Sequence, residues 1–142
     1  MHIKKVIALI LALIFVSGLA GCSEKKPTVY DWAQGLNQED ITSATPWRQD
    51  EAFEPLNETE TLELVSLLNK LTENSFTENK HLRGGTPVFG IEIVSASETF
   101  YLNESNGPNG ALEMSYGEKL WWIDSVELYD FLQRVSDTKS IK

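Results

Sequence analysis

Leu112-Glu113-Met114-Ser115-Tyr116-Gly117-Glu118-Lys119-Leu120-Trp121-Trp122-Ile123 is the stretch whose reading decides the fold. Its two arms alternate apolar with polar residues or carry aromatic and β-branched ones, and Gly117-Glu118 between them fits a two-residue II′ turn with glycine first. A hairpin closed there sets Tyr116 opposite Lys119, Ser115 opposite Leu120, Met114 opposite Trp121, Glu113 opposite Trp122 and Leu112 opposite Ile123. Residues directly opposite share a face of the sheet, and the turn fixes which residues those are. Leu112, Met114, Trp121 and Ile123 must then form a buried side, with Trp121 in the core, while Glu113 and Trp122 face out.

The period of two begins earlier. Val88 to Val94 and Thr99 to Leu102 read as two further strands, and a turn at Ala96-Ser97 pairs Ile93 with Phe100 and Ile91 with Leu102 inward. The same register turns Glu92 and Tyr101 outward. Asn103 to Gly110 is turn-forming throughout, so four strands in succession make an antiparallel meander. Two hairpins read separately thus bring Tyr101 with Glu92, and Trp122 with Glu113, to one outward face, a candidate binding face for a cation or a sugar ring. The competing expectation is that a loop, or the segment around Trp32, covers Trp122.

Helical stripes flank the meander. Leu64, Leu67, Leu68 and Leu71, joined by Val65, predict a helix from about Glu58 to Thr72, opened by an Asn57/Glu60 capping box. Leu128, Phe131, Leu132 and Val135 predict another from about Ser125 to Ser136, with Asp124 as its cap and Glu127 as the box partner. Glu58, Glu60 and Glu63 suit the positive end of a helix dipole and are assigned to helix stability. Ile41 to Trp47 suits an edge strand containing Pro46, a short strand is expected near Phe76, and Asp31 suits the cap of a short helical turn ending at Gly35. The fold class expected is α+β, a two-layer domain with an antiparallel sheet of about five strands and two helices packed on one face.

The start of the chain is of another kind. Lys4-Lys5, the apolar run Val6 to Val16 and Leu19-Ala20-Gly21-Cys22 have the layout of a secretory signal, and the run is shorter than the roughly 20 residues a membrane-spanning helix needs. Leu19-Ala20-Gly21-Cys22 resembles the lipobox of bacterial lipoproteins. That resemblance implies removal of residues 1–21, acylation of Cys22 as the new N-terminus, and a chain held outside the cytoplasmic membrane by its lipid. Residues 22–28 would be the lipidated cysteine and tether, and 29–142 a single small α+β domain; the organisation is similar to that of small Gram-positive lipoproteins. Cys22 is also the only cysteine, so acylation leaves no thiol for a disulfide, a zinc site or a nucleophile.

Charge narrows the partners. The 142 residues carry a formal net charge of −9, and Lys4 and Lys5 depart with the signal, which leaves an acidic domain. Nucleic acid is excluded as a partner, whereas a basic peptide or the basic surface of a membrane protein suits that charge. Enzyme signatures are missing: G-x-S-x-G, H-E-x-x-H and EF-hand patterns do not occur, and His81, the one histidine left once the signal is removed, falls in a predicted loop. Arg83-Gly84-Gly85 reads as a turn, because no phosphate-binding pattern surrounds it, and the oxygen-rich 103–110 loop lacks the acidic spacing of a calcium site. The expectation is a lipid-anchored, non-enzymatic binding or accessory domain with no cofactor and no metal. Two alternatives stand beside it: an envelope hydrolase using Glu92 and Glu113 as paired carboxylates, and a structural lipoprotein assembling through the sheet edge at Thr42 to Thr45.

Overall fold

The computed structural model describes residues 27–49, 51–80, 86–105 and 112–141. Cys22 with the whole signal segment, His81, the turn at 83–85 and most of the 103–110 loop lie outside the described residues.

In chain order the elements are α1 (Val29–Gly35), β1 (Ile41–Arg48), β2 (Ala52–Phe53), α2 (Glu58–Asn69), β3 (Phe76–Glu78), β4 (Phe89–Ser95), β5 (Thr99–Glu104), β6 (Leu112–Tyr116), β7 (Lys119–Ile123), α3 (Val126–Thr138) and β8 (Ser140–Ile141). The meander β4-β5-β6-β7 is antiparallel throughout, and every cross-strand pair expected at both turns is present. Gly117 sits at φ +63°, the left-handed backbone that a primed turn requires at its first central residue and that glycine adopts at little cost. β1 lies outside β4 and β3 outside β7, which gives a six-stranded antiparallel sheet in the order β1-β4-β5-β6-β7-β3. β2 and β8 form a separate two-stranded pair.

The architecture is α+β with all core packing on one face of the sheet. Ile91, Ile93, Leu102, Leu112, Met114 and Ile123 meet Leu64, Leu68, Leu128, Leu132 and Val135, all essentially without solvent exposure. Each such side chain contributes about 1.5–3 kcal/mol on leaving water, and this burial is the main force holding the layers together. α3 lies over β1 and β4. Ion pairs join the two long helices and the α3 end: Arg134 to Glu63 at 2.7 Å and Lys139 to Glu60 at 2.8 Å. Trp32 of α1 packs on Phe100, 4.8 Å between ring centres, and α1 thereby closes the inner face beside the β4–β5 turn.

Several local expectations are corrected. The α+β expectation of an antiparallel sheet of about five strands holds, the main sheet having six; where a short helical turn was expected, α1 is a helix whose cap is Thr28 and not Asp31, which is its third residue and returns the hydrogen bond in a capping box. α3 is capped by Ser125, whose hydroxyl accepts from the Leu128 N–H, and not by Asp124. Both residues can cap; the one placed three before Leu128 does. α2 ends at Asn69 and not at Thr72, although the stripe continues: Leu71 is 5 % exposed after the chain has tightened into an i to i+3 turn at Leu68. Trp121 faces inward as expected but is only half-buried, since β7 is flanked there by the three-residue β3, and the Lys119 ammonium lies 5.7 Å above its ring.

Candidate binding site

On the sheet face turned away from the helices, the register assembles a line of residues that belong to five different strands. Trp47 stands opposite Gly90, Gly90 opposite Asn103, Asn103 opposite Glu113, and Glu113 opposite Trp122. At about 4.8 Å per strand the line is about 19 Å long from one tryptophan to the other. Among the described residues, four of its polar side-chain atoms are buried without a hydrogen-bond partner: Trp47 Nε1, Asn103 Oδ1, Glu113 Oε2 and Trp122 Nε1. Buried donors and acceptors are nearly always partnered, and each one left unmade costs about 1–3 kcal/mol. Four in one row, in the order donor, acceptor, acceptor, donor, form a face whose hydrogen bonding is not completed by the described residues.

Gly90 makes the row possible. A Cβ there would lie 2.6 Å from Asn103 Oδ1, 2.6 Å from the Leu102 carbonyl and 2.8 Å from Trp47 Nε1, so the two side chains close over a position where only hydrogen fits. Beside them Thr45, Pro46, Trp47, Glu92, Tyr101 and Asn103 line an open depression of about 340 Å³. Tyr101, 48 % exposed, donates its phenol proton to Glu92 Oε2 at 2.7 Å. That hydrogen bond, and the carboxylate charge behind it, raise the Tyr101 phenol above its ordinary ionisation range.

The four residues expected on the outward face are all on it, and the structure joins them in two pairs. Glu92 and Tyr101 bond to each other, while Glu113 and Trp122 stand opposite one another in the row. Trp122 is half-buried, its other neighbour being Thr77 of β3. The Trp32 segment does not cover it, because Trp32 packs against Phe100 and Tyr116 on the inner face. Comparisons with protein-family models, curated proteins and solved structures return no match to this chain. Trp47 and Asn103 are the site residues that the sequence did not disclose. Trp47 enters through the pairing of β1 with β4, a contact between distant segments, and Asn103 was assigned to a turn when it is the fifth residue of β5.

A second depression, about 470 Å³, lies on the inner side between α1 and the β4–β5 turn, with Trp32, Phe100 and Tyr116 as its floor and Asp31, Glu39, Asp40 and Glu98 around it. Burial, with the charges of Glu98 and Asp31, raises the Tyr116 phenol. Two of these carboxylates are engaged in local structure: Asp31 accepts from the Thr28 N–H, and Asp40 from the Asn37 N–H. Among the described residues no group of three histidine, cysteine, aspartate or glutamate side chains is placed to hold a metal ion.

Proposed function

We propose that the chain is a lipid-anchored, non-enzymatic binding domain held outside the cytoplasmic membrane through Cys22, and that its outer sheet face takes a basic peptide or a basic protein surface. The observation that carries this reading is the row of buried polar atoms, unpartnered among the described residues, between Trp47 and Trp122 on the face opposite the core. The acidic charge of the chain favours a cationic partner there, and the aromatic rings beside Glu92 and Glu113 add cation–π attraction.

The hydrolase alternative fits the geometry poorly. Glu92 and Glu113 lie two strands and one row apart, which sets their Cα atoms about 12 Å from each other by strand spacing and rise. Glutamate side chains can span that separation to the roughly 5–9.5 Å between carboxyl groups that glycoside hydrolysis uses, but the reaction also needs a cleft, and here Glu92 is held by Tyr101 beside an open depression. Assembly through the β1 edge is disfavoured as well, since the Ala44 carbonyl accepts the Leu56 N–H at 2.8 Å and Pro46 has no N–H to offer.

Two measurements test the reading. Growth with a palmitate analogue should label the wild type and leave Cys22→Ala unlabelled and released from the membrane fraction. Titration with a lysine-rich peptide should give saturable binding that its fully acetylated form lacks and that the Trp122→Ala, Tyr101→Ala double variant loses. Equal binding of charged and acetylated peptides would refute the cationic preference.

A further inference from the structure

The centre of the row is more specific than a general acidic face. Asn103 Oδ1 and Glu113 Oε2 are acceptors on directly opposed residues of β5 and β6, whose Cβ atoms stand about 5 Å apart in such pairs. Among the described residues neither has a donor, and an indole lies outward on either side, Trp47 beyond Gly90 and Trp122 beyond Glu113. We infer that Asn103 and Glu113 form the subsite for one arginine side chain of a peptide, its guanidinium donating to Asn103 Oδ1 and Glu113 Oε2 between the two tryptophans; this rests on the basic-partner reading above.

Three features select that occupant. Two acceptors side by side match a planar fork with five N–H donors, where a lysine ammonium is a compact point charge that cannot span them in one plane. One acceptor belongs to a carboxylate, so the bond to it is charge-assisted and about twice as strong as a neutral one. The end groups of the row are donors, Trp47 Nε1 and Trp122 Nε1, and require acceptors from the same ligand. A peptide brings backbone carbonyls together with its arginine; a metal ion or a polyamine brings none. In the free chain the four atoms are shielded from water, so binding turns the Asn103 and Glu113 side chains toward the ligand and replaces missing hydrogen bonds with made ones. Glu92, held by Tyr101, remains beside the depression as a second charge.

The test uses the full chain in detergent micelles and a short glycine-serine peptide carrying one arginine, compared with the same peptide carrying lysine or citrulline, the uncharged isostere. The indole N–H resonances of Trp47 and Trp122 are followed during each titration. The expected result is saturable movement of both signals by the arginine peptide, with affinity about tenfold lower for citrulline, as loss of a charge-assisted bond implies, and intermediate for lysine. Glu113→Gln, which keeps the shape, should bring arginine down to the citrulline level without altering spectral dispersion. Equal affinity for arginine and citrulline, an unaffected Glu113→Gln, or absence of binding by the wild type overturns the inference. So does a neutral oligosaccharide that moves these resonances at lower concentration than the arginine peptide. If lysine and arginine peptides bind alike and are lost in Glu92→Gln but not in Glu113→Gln, the subsite falls while the basic-partner reading stands.

Discussion

Replacing Gly90 with alanine isolates the contact on which the outer row depends. In an ordinary strand position glycine to alanine adds about 0.4–1 kcal/mol of stability by restricting the unfolded chain. Here the new methyl would sit 2.6 Å from the Leu102 carbonyl oxygen, 2.6 Å from Asn103 Oδ1 and 2.8 Å from Trp47 Nε1. The asparagine can swing aside, but the carbonyl belongs to β5, which is paired on both edges and cannot recede without stretching a ladder. Overpacking of this kind costs about 1–3 kcal/mol, so the net expectation is a loss of about 1–2 kcal/mol. For a domain of this size that lowers the thermal midpoint by about 5–10 °C, read by far-ultraviolet circular dichroism at fixed protein concentration. Adding Asn103→Ala should recover less than half of the loss, because the carbonyl contact remains. A midpoint for Gly90→Ala equal to or above the wild type would refute the close approach and, with it, the geometry of the row.

Gly117→Ala should also destabilise, for a different reason: nothing lies within 4 Å of the new methyl, and the loss of about 1–2 kcal/mol comes from holding a non-glycine residue at φ +63°, so Gly117→Asn should lose less; equal midpoints for all three chains would contradict this. Burial works to raise the pKa of Glu60, but the hydrogen bond from Lys139, the bond from the Asn57 N–H and the Lys139 and Arg134 charges together bring it below its ordinary 4.5. A depressed carboxyl contributes stability that is present above the ordinary value and lost as pH falls through the folded one, so the fall in melting temperature below about pH 4.5 should be shallower in Glu60→Gln; superimposable acid limbs would rule the linkage out. Glu92→Gln should move Tyr101 ionisation down toward its usual range in an ultraviolet phenolate titration, and an unchanged curve would show that the 2.7 Å bond does not persist in solution.

What the sequence disclosed was set by distance along the chain. Register around Gly117-Glu118 and Ala96-Ser97 is local, fixed by turn chemistry and by the need to bury Ile91, Ile93, Leu112 and Ile123 on one side, and both hairpins follow it residue for residue. The helical stripes fared similarly: Leu128, Phe131, Leu132 and Val135 are all buried where their spacing placed them. Pairing of β1 with β4 joins segments some forty residues apart, and no alternation within either one names its partner, so Trp47 could not be counted in the face. The two-residue β2 and β8 are too short to carry any period. Cap assignment erred by one residue at α3 because Asp124 and Ser125 are both competent, and backbone geometry chose between them. Glu92 and Glu113 were legible as outward residues, but only the full sheet shows that one is held by a tyrosine while the other stands beside a carboxamide oxygen that has no partner among the described residues.

The long edge strand bears on how copies of this chain coexist. In an antiparallel strand the N–H and C=O of one residue point the same way, and the Ala44 carbonyl bonds outward to Leu56, so Ala44, Pro46 and Arg48 present the groups that a docking strand would use. Of these, Ala44 is engaged, Pro46 has no donor, and Arg48 is bridged to Glu51. Molecules anchored as proposed on one membrane would be confined to a plane, where collisions between edges are frequent and mostly in a shared orientation. A strand whose outward groups are engaged or missing at these three alternate positions offers a neighbouring copy no ladder along this edge, however densely the surface is populated.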